Sequence, residues 1–190
     1  QLWMSSTPME LESHAHALSE MTGRVLIAGG GLGITLYNAI QKKEVEEVVL
    51  LEIDNGLVKW LRRQMMGREW SGWDKATLIW HDATVRMNLP YSDLTTEKDF
   101  DFLWVDIWER LGEEKALADV RCVQKAAQAK QVGWWGMELD FISFLQERNI
   151  KPPPTEEHWK MFEEFCGFPL MMAPEQPERS ADAAFNAMMA

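Results

Sequence analysis

A strand that runs straight into a cluster of glycines narrows the possible folds of this chain more than any other feature. Val25-Leu26-Ile27-Ala28 is apolar without alternation, as a strand covered on both faces of a parallel sheet must be. Gly29-Gly30-Gly31-Leu32-Gly33 follows at once, then a helical stretch to about Lys43, then a second apolar run, Val48-Val49-Leu50-Leu51-Glu52. The pattern predicts a βαβ unit. Glycines at a strand-to-helix turn let a ligand approach the backbone, and the helix N-terminus offers unpaired N–H groups. Glu52 stands about 20 residues beyond the turn, where a carboxylate can accept both hydroxyls of a ribose. Together they point to a nucleotide-like ligand. Two plainer readings stand beside that one: the glycines permit tight packing of a helix on its strand, and Glu52 is an ordinary surface acid.

The alternation continues along the chain. Thr7-Pro8-Met9-Glu10 has the form of a capping box opening a helix that runs to about Met21, and Gly23 ends it. Asn55 is placed to cap a third helix whose Leu57, Leu61 and Met65 share a face with Val58, while Lys59, Arg62 and Arg63 form a basic one. Thr77–Trp80 and Phe100–Val105 read as strands three and four, with a polar loop between them. Ala116, Val120, Val123 and Ala127 mark a helix between Glu113 and Lys130, and Val132–Trp135 reads as strand five. Leu139–Arg148 is helical, Pro152-Pro153-Pro154 breaks it, and Thr155 caps a last helix with Trp159, Phe162 and Cys166 on one face.

Composition narrows the function classes. The chain is 46% hydrophobic and 26% charged, a balance that supports a folded core. Nineteen basic against thirty acidic residues give a net charge of -11, which predicts no nucleic-acid partner and no anionic membrane surface. No apolar run approaches the roughly 20 residues of a membrane span. Cys122 and Cys166 are isolated, which argues against disulfides and structural zinc and predicts a cytoplasmic protein. His14 and His16, two apart, do not share a helix face and lack further ligands, so no metal site is predicted.

The ordered series Val25–Gly33, Leu51-Glu52-Ile53-Asp54, His81-Asp82-Ala83 and Phe100–Asp106 resembles the motifs of class I S-adenosylmethionine-dependent methyltransferases, most of all the spermidine-synthase-like branch. The likeness covers roughly Arg24 to Gly136, and the ordered set is more specific than any one motif. It implies an α/β Rossmann-like methyltransferase fold with about five parallel strands and helices on both faces. It also implies S-adenosylmethionine as cofactor, its methionine moiety against Gly29, Gly31 and Gly33, its ribose on Glu52, and its adenine near Ile53, Asp82 and Ala83. Asp82, acceptor-only when ionised, would take a hydrogen bond from the adenine amine; as a turn residue it needs no ligand. Within the resemblance, the apolar Ile27 fits the spermidine-synthase-like branch, whereas Leu32 stands where aminopropyltransferases carry an aspartate and cannot pair with a cationic amine. Ala28-x-Gly30-x-x-Gly33 leaves open a loose dinucleotide fingerprint for flavin or nicotinamide.

On the acceptor side the resemblance implies catalysis by Asp106, at the end of strand four, with Glu109 three residues on; two carboxylates suit an amine-bearing small molecule. The bland alternatives are a helix or turn cap for Asp106 and a solvated Glu109. Ten tryptophans include Trp108, Trp134 and Trp135 near strand ends, where they serve as aromatic walls or as core mass. One S-adenosylmethionine-binding domain is expected over 1–174, divided into an N-terminal lid or helix (1–23), the core (24–150) and a C-terminal helix (151–174), with a flexible tail over 175–190. The family's C-terminal hairpin is missing from the pattern, which predicts a sheet edge that a helix or a second subunit must cover, and so leaves room for a homodimer. Methyl transfer to a small or amine-bearing acceptor is the leading expectation; aminopropyl transfer and a noncatalytic binding module are the alternatives.

Overall fold

The computed structural model describes residues 8–67, 70–85, 100–151 and 153–172. The expected cap at Thr7, most of the polar loop before strand four and the tail over 175–190 lie outside the described residues. In chain order the elements are α1 (Pro8–Glu20), β1 (Gly23–Ala28), α2 (Ile34–Gln41), β2 (Val45–Glu52), α3 (Asn55–Gly67), β3 (Ala76–Trp80), β4 (Phe102–Val105), α4 (Ala116–Ala127), β5 (Gln131–Trp134), α5 (Met137–Glu147) and α6 (Glu156–Cys166).

All five strands are parallel, in the spatial order β3-β2-β1-β4-β5. Val25–Ala28 and Val48–Leu51 are buried throughout, which is why these runs show no polar alternation. From β1 the chain steps outward to β2 and β3, and from β4 it steps the other way to β5. α2 packs on β2, α3 on β2 and β3, and α4 on β4.

Several local expectations shift by a residue or a turn. Asp54, not Asn55, caps α3: its Oδ1 accepts from the backbone N–H of Gly56 at 2.6 Å and of Leu57 at 3.2 Å. Asn55 is already the first helical residue. Val58, Leu61 and Met65 form the buried face of α3, while Leu57 turns towards a cavity described below. β4 starts at Phe102, and just before it the Asp101 carboxylate accepts the Arg24 N–H at 2.8 Å and the Lys130 ammonium at 2.7 Å, while the Asp101 N–H donates to the Arg24 carbonyl at 2.8 Å. Thr155 caps α6 as expected, and His158 returns the bond by accepting the Thr155 N–H at its Nδ1.

After α6 the chain comes back to the sheet. Leu170 makes a single parallel bridge to Val132, the Met171 N–H donates to the Val132 carbonyl at 2.9 Å, and Trp159 Nε1 donates to the Met171 carbonyl at 3.2 Å. The β5 edge is therefore met at Val132 by the chain's own segment. No antiparallel strand follows β5 among the described residues. No helix among them is long and apolar enough to cross a membrane.

Candidate functional site

The strand order reverses between β1 and β4, and loops leaving strands at such a point part to opposite faces, opening a crevice at the carboxyl ends. A cavity of about 640 Å³ lies there. Its wall takes Gly29–Gly31 from the turn after β1, Glu52–Asp54 from the end of β2, His81–Thr84 from beyond β3 and Asp106–Trp108 from beyond β4, with Lys115 and Asp119 at one side. Chain segments far apart in sequence meet here because four parallel strands end together.

The glycine turn is held from two sides. Gly29 has φ 100°, and a Cβ at that position would collide with the Asp106 carbonyl. The missing side chain is what lets the end of β4 lie against the turn. Gly30 donates its N–H to Glu52 Oε2 at 2.7 Å, while Oε1 accepts the Asp54 N–H at 2.8 Å. Glu52 is 7% exposed, so the plain surface-acid reading does not describe it. Each carboxylate oxygen has a second lone pair, and the carboxyl group sits on the cavity wall already oriented by two amides.

Gly33 is not part of this wall. It adopts φ 80° at the start of α2, where a Cβ would press into Leu61, and with Leu32, Ile34, Tyr37 and Trp70 it lines a separate surface hollow. Its glycine is explained by helix packing. Glu109 also lies apart, in a second hollow with Arg110 and Glu113 that borders the cavity at Ile107, Trp108 and Lys115. Spacing along the chain suggested both residues as site members; the direction of each turn separates them from the rest.

Ile53, 65% exposed, Asp82 and Ala83 all line the cavity. The Oδ1 atom of Asp82 accepts from the Thr84 N–H at 2.9 Å and from the Thr84 hydroxyl at 2.7 Å, and the hydroxyl bond holds its carboxyl below the ordinary value. Oδ1 thus serves the turn, and Oδ2 is the oxygen that an adenine amine would need. His81 went unnoticed as a site residue in the sequence, yet it lines the cavity and its Nδ1 is buried with no hydrogen-bond partner among the described residues. Gly30 was likewise passed over, because the sequence does not show which glycine amide faces Glu52.

Asp106 continues β4, its N–H donating to the Ala28 carbonyl at 2.8 Å. Its Oδ2 lies 3.8 Å from Nε2 of His14, which reaches it from α1. His14 is 3% exposed, stacks on Trp135 with ring centroids 6.3 Å apart and meets Trp104 edge-on at 5.8 Å. Burial pushes the His14 imidazole down to about 4, so near neutral pH a neutral ring faces the Asp106 carboxylate. Trp108 is buried against the cavity with Nε1 donating to Asp119 at 2.9 Å, whereas Trp134 is core, bonded to Asp140 at 2.7 Å. No group of three or more metal-ligating side chains occurs among the described residues.

No family model matches the chain. Over 143 residues it is 29% identical to the polyamine aminopropyltransferase of Salmonella arizonae, an alignment covering 74% of this chain and 46% of that protein. The chain thus spans about half the length of the curated relatives it matches. Among solved structures, the methyltransferase domain of bacterial CtHen1 superposes over 84% of this chain and 82% of that one, with a TM-score of 0.52 and 14% identity.

The chain has the class I S-adenosylmethionine-dependent methyltransferase fold. In sequence its likeness is to polyamine aminopropyltransferases, the spermidine-synthase-like branch. One expectation is overturned. The acidic balance predicted no nucleic-acid partner, yet structures similar to this methyltransferase fold include the 23S rRNA methyltransferase ErmE, at 17% identity over 70% of this chain and 47% of that one, with a TM-score of 0.46. Net charge sums over the whole surface, whereas binding depends on local potential, and Lys59, Arg62 and Arg63 stand exposed along α3. The exclusion of nucleic acid is withdrawn.

Proposed function

We propose that the chain binds S-adenosylmethionine in the cavity at the strand ends and transfers its methyl group to a small or amine-bearing acceptor. The observation that carries this reading is the meeting of Gly31, Glu52, Asp82 and Asp106, from the ends of four separate strands, on one cavity wall. The cavity's size lies within the roughly 300–1,000 Å³ of ordinary small-molecule sites. The residues present also fit a nucleoside: a preoriented carboxylate for the ribose hydroxyls, exposed Ile53 for a base face, and an unpartnered buried nitrogen on His81.

In this reading Gly29 and Gly31 admit the methionine moiety and Glu52 accepts the ribose hydroxyls, while Ile53, Asp82 and Ala83 border the adenine. Bound S-adenosylmethionine supplies a methyl group on a sulfonium sulfur. Asp106 holds the acceptor amine in line with that methyl and takes the proton the nitrogen loses, and buried Trp108 limits the entry of water. Glu109 and Gly33, set apart from the cavity, are left out of these roles.

The likeness to polyamine aminopropyltransferases favours a second reading, aminopropyl transfer from the decarboxylated donor. One experiment separates the readings: incubate the purified protein with each donor and a panel of amines and RNA oligonucleotides, and identify the nucleoside product. S-adenosylhomocysteine supports methyl transfer and methylthioadenosine supports aminopropyl transfer. Donor binding without either product supports a noncatalytic module, and co-purifying flavin or nicotinamide would overturn all three.

A further inference from the structure

The cavity wall is strongly one-signed. Glu52, Asp54, Asp82, Asp106 and Asp119 contribute carboxylates to it, and among the described residues Lys115 is the one lysine or arginine that lines it. A surrounding of this kind favours a ligand's cationic groups and repels any carboxylate that does not meet the single ammonium. Lys115 sits where the chain enters α4, at the junction of the cavity with the hollow that holds Glu109. Its ammonium forms no ion pair among the described residues. The nearby acid Asp119 is already engaged by Trp108 Nε1.

We propose that Lys115 reads the donor's α-carboxylate and so makes the cavity select S-adenosylmethionine over its decarboxylated form. The proposal rests on the reading of the cavity as the donor site. The two donors share the adenosine, the sulfonium and the amine, and differ by one carboxylate. On a wall of five acids, that carboxylate without Lys115 is an uncompensated repulsion, and with Lys115 it becomes a contact that the decarboxylated donor cannot make. Lys115 is thereby the residue that decides which of the two group transfers the site supports.

The test is calorimetric titration of the wild type, Lys115→Met and Lys115→Arg with S-adenosylmethionine and with decarboxylated S-adenosylmethionine, each protein checked for folding by circular dichroism. Methionine keeps the length and apolar stem of lysine and removes the charge. The expected result is a loss of roughly tenfold in Lys115→Met affinity for S-adenosylmethionine, the size of one hydrogen bond to a charged group. Affinity for the decarboxylated donor should hold or rise, since no partner of the ammonium is missing there and the donor's two cationic groups lose a like charge, and Lys115→Arg should keep most of the wild-type preference. Unchanged S-adenosylmethionine binding in Lys115→Met, or an equal loss for both donors, overturns the proposal. A folded wild type that binds neither donor removes the reading of the cavity itself, and the role of Lys115 with it.

Discussion

Glu52 and Gly30 are joined by a hydrogen bond of 2.7 Å from the glycine N–H to the carboxylate, so the group proposed to hold a ribose also holds the turn proposed to hold the methionine moiety. Two parts of one site are therefore coupled through a single side chain. Glu52→Ala should weaken donor binding by about 1.5–3 kcal/mol, the range for hydrogen bonds to a charged group. It should also lower stability by about 1–3 kcal/mol, because the amides of Gly30 and Asp54 lose their acceptor. Calorimetry and urea unfolding measure the two losses separately; a variant that binds the donor as well as wild type places the ribose elsewhere.

The two glycines at positions 31 and 33 should respond differently to substitution. Gly31 lines the cavity and Gly33 does not. Gly31→Arg should abolish donor binding by filling the space. Gly33→Ala should cost about 1–3 kcal/mol of stability, from an L-residue at positive φ and the contact with Leu61, while donor affinity in the folded protein changes little. Thermal unfolding with and without S-adenosylhomocysteine checks both; a Gly33→Ala protein of normal stability that cannot bind would return Gly33 to the site.

Asp106→Asn preserves size while removing charge and proton acceptor. Turnover should fall by roughly 10²–10⁴, the usual worth of a positioned general base. Donor affinity should hold within a few fold. The measurement is steady-state product formation with whichever acceptor the amine panel identifies, and wild-type turnover in the variant would reduce Asp106 to a structural role.

His14 makes stability depend on pH. Its folded pKa, about 4, lies below the reference 6.5, so the unfolded chain binds the proton more tightly. The contribution is complete above pH 6.5 and is lost as the pH falls from there through about 4. The shift corresponds to roughly 2–4 kcal/mol at about 1.4 kcal/mol per unit. Glu138 and Asp140, whose carboxyls burial raises, act in the opposite sense at the acidic end. Comparing urea midpoints of wild type and His14→Gln across this range isolates the imidazole: the variant should show the flatter profile, and parallel profiles would contradict the assignment.

What the sequence revealed and what it hid follow from the range of the forces involved. The central strands were legible because a strand covered on both faces must be apolar at every position, as Val25–Ala28 and Val48–Leu51 are. The glycine turn and Glu52 were legible as a pair, since one βαβ unit fixes both ends of the spacing. Gly33 and Glu109 fall outside the cavity lining because spacing gives proximity in the chain but not the direction in which a turn faces. Asp54 was overlooked as a cap beside Asn55, two residue types that serve equally well until the helix start is known. The pairing of His14 with Asp106 depends on how α1 crosses the strand ends, and no periodicity within α1 encodes that crossing.

The return of Leu170 and Met171 to Val132 also bears on how the protein behaves in crowded solution. An outer strand with free amides is a template on which a foreign chain can grow a cross-β array. Here recruitment at β5 must wait for the short segment behind α6 to peel away. The opening of that segment, a property of the single molecule, then governs when Val132 is exposed, and substitutions that loosen the Met171 contact to Trp159 should lower the concentration at which aggregates nucleate.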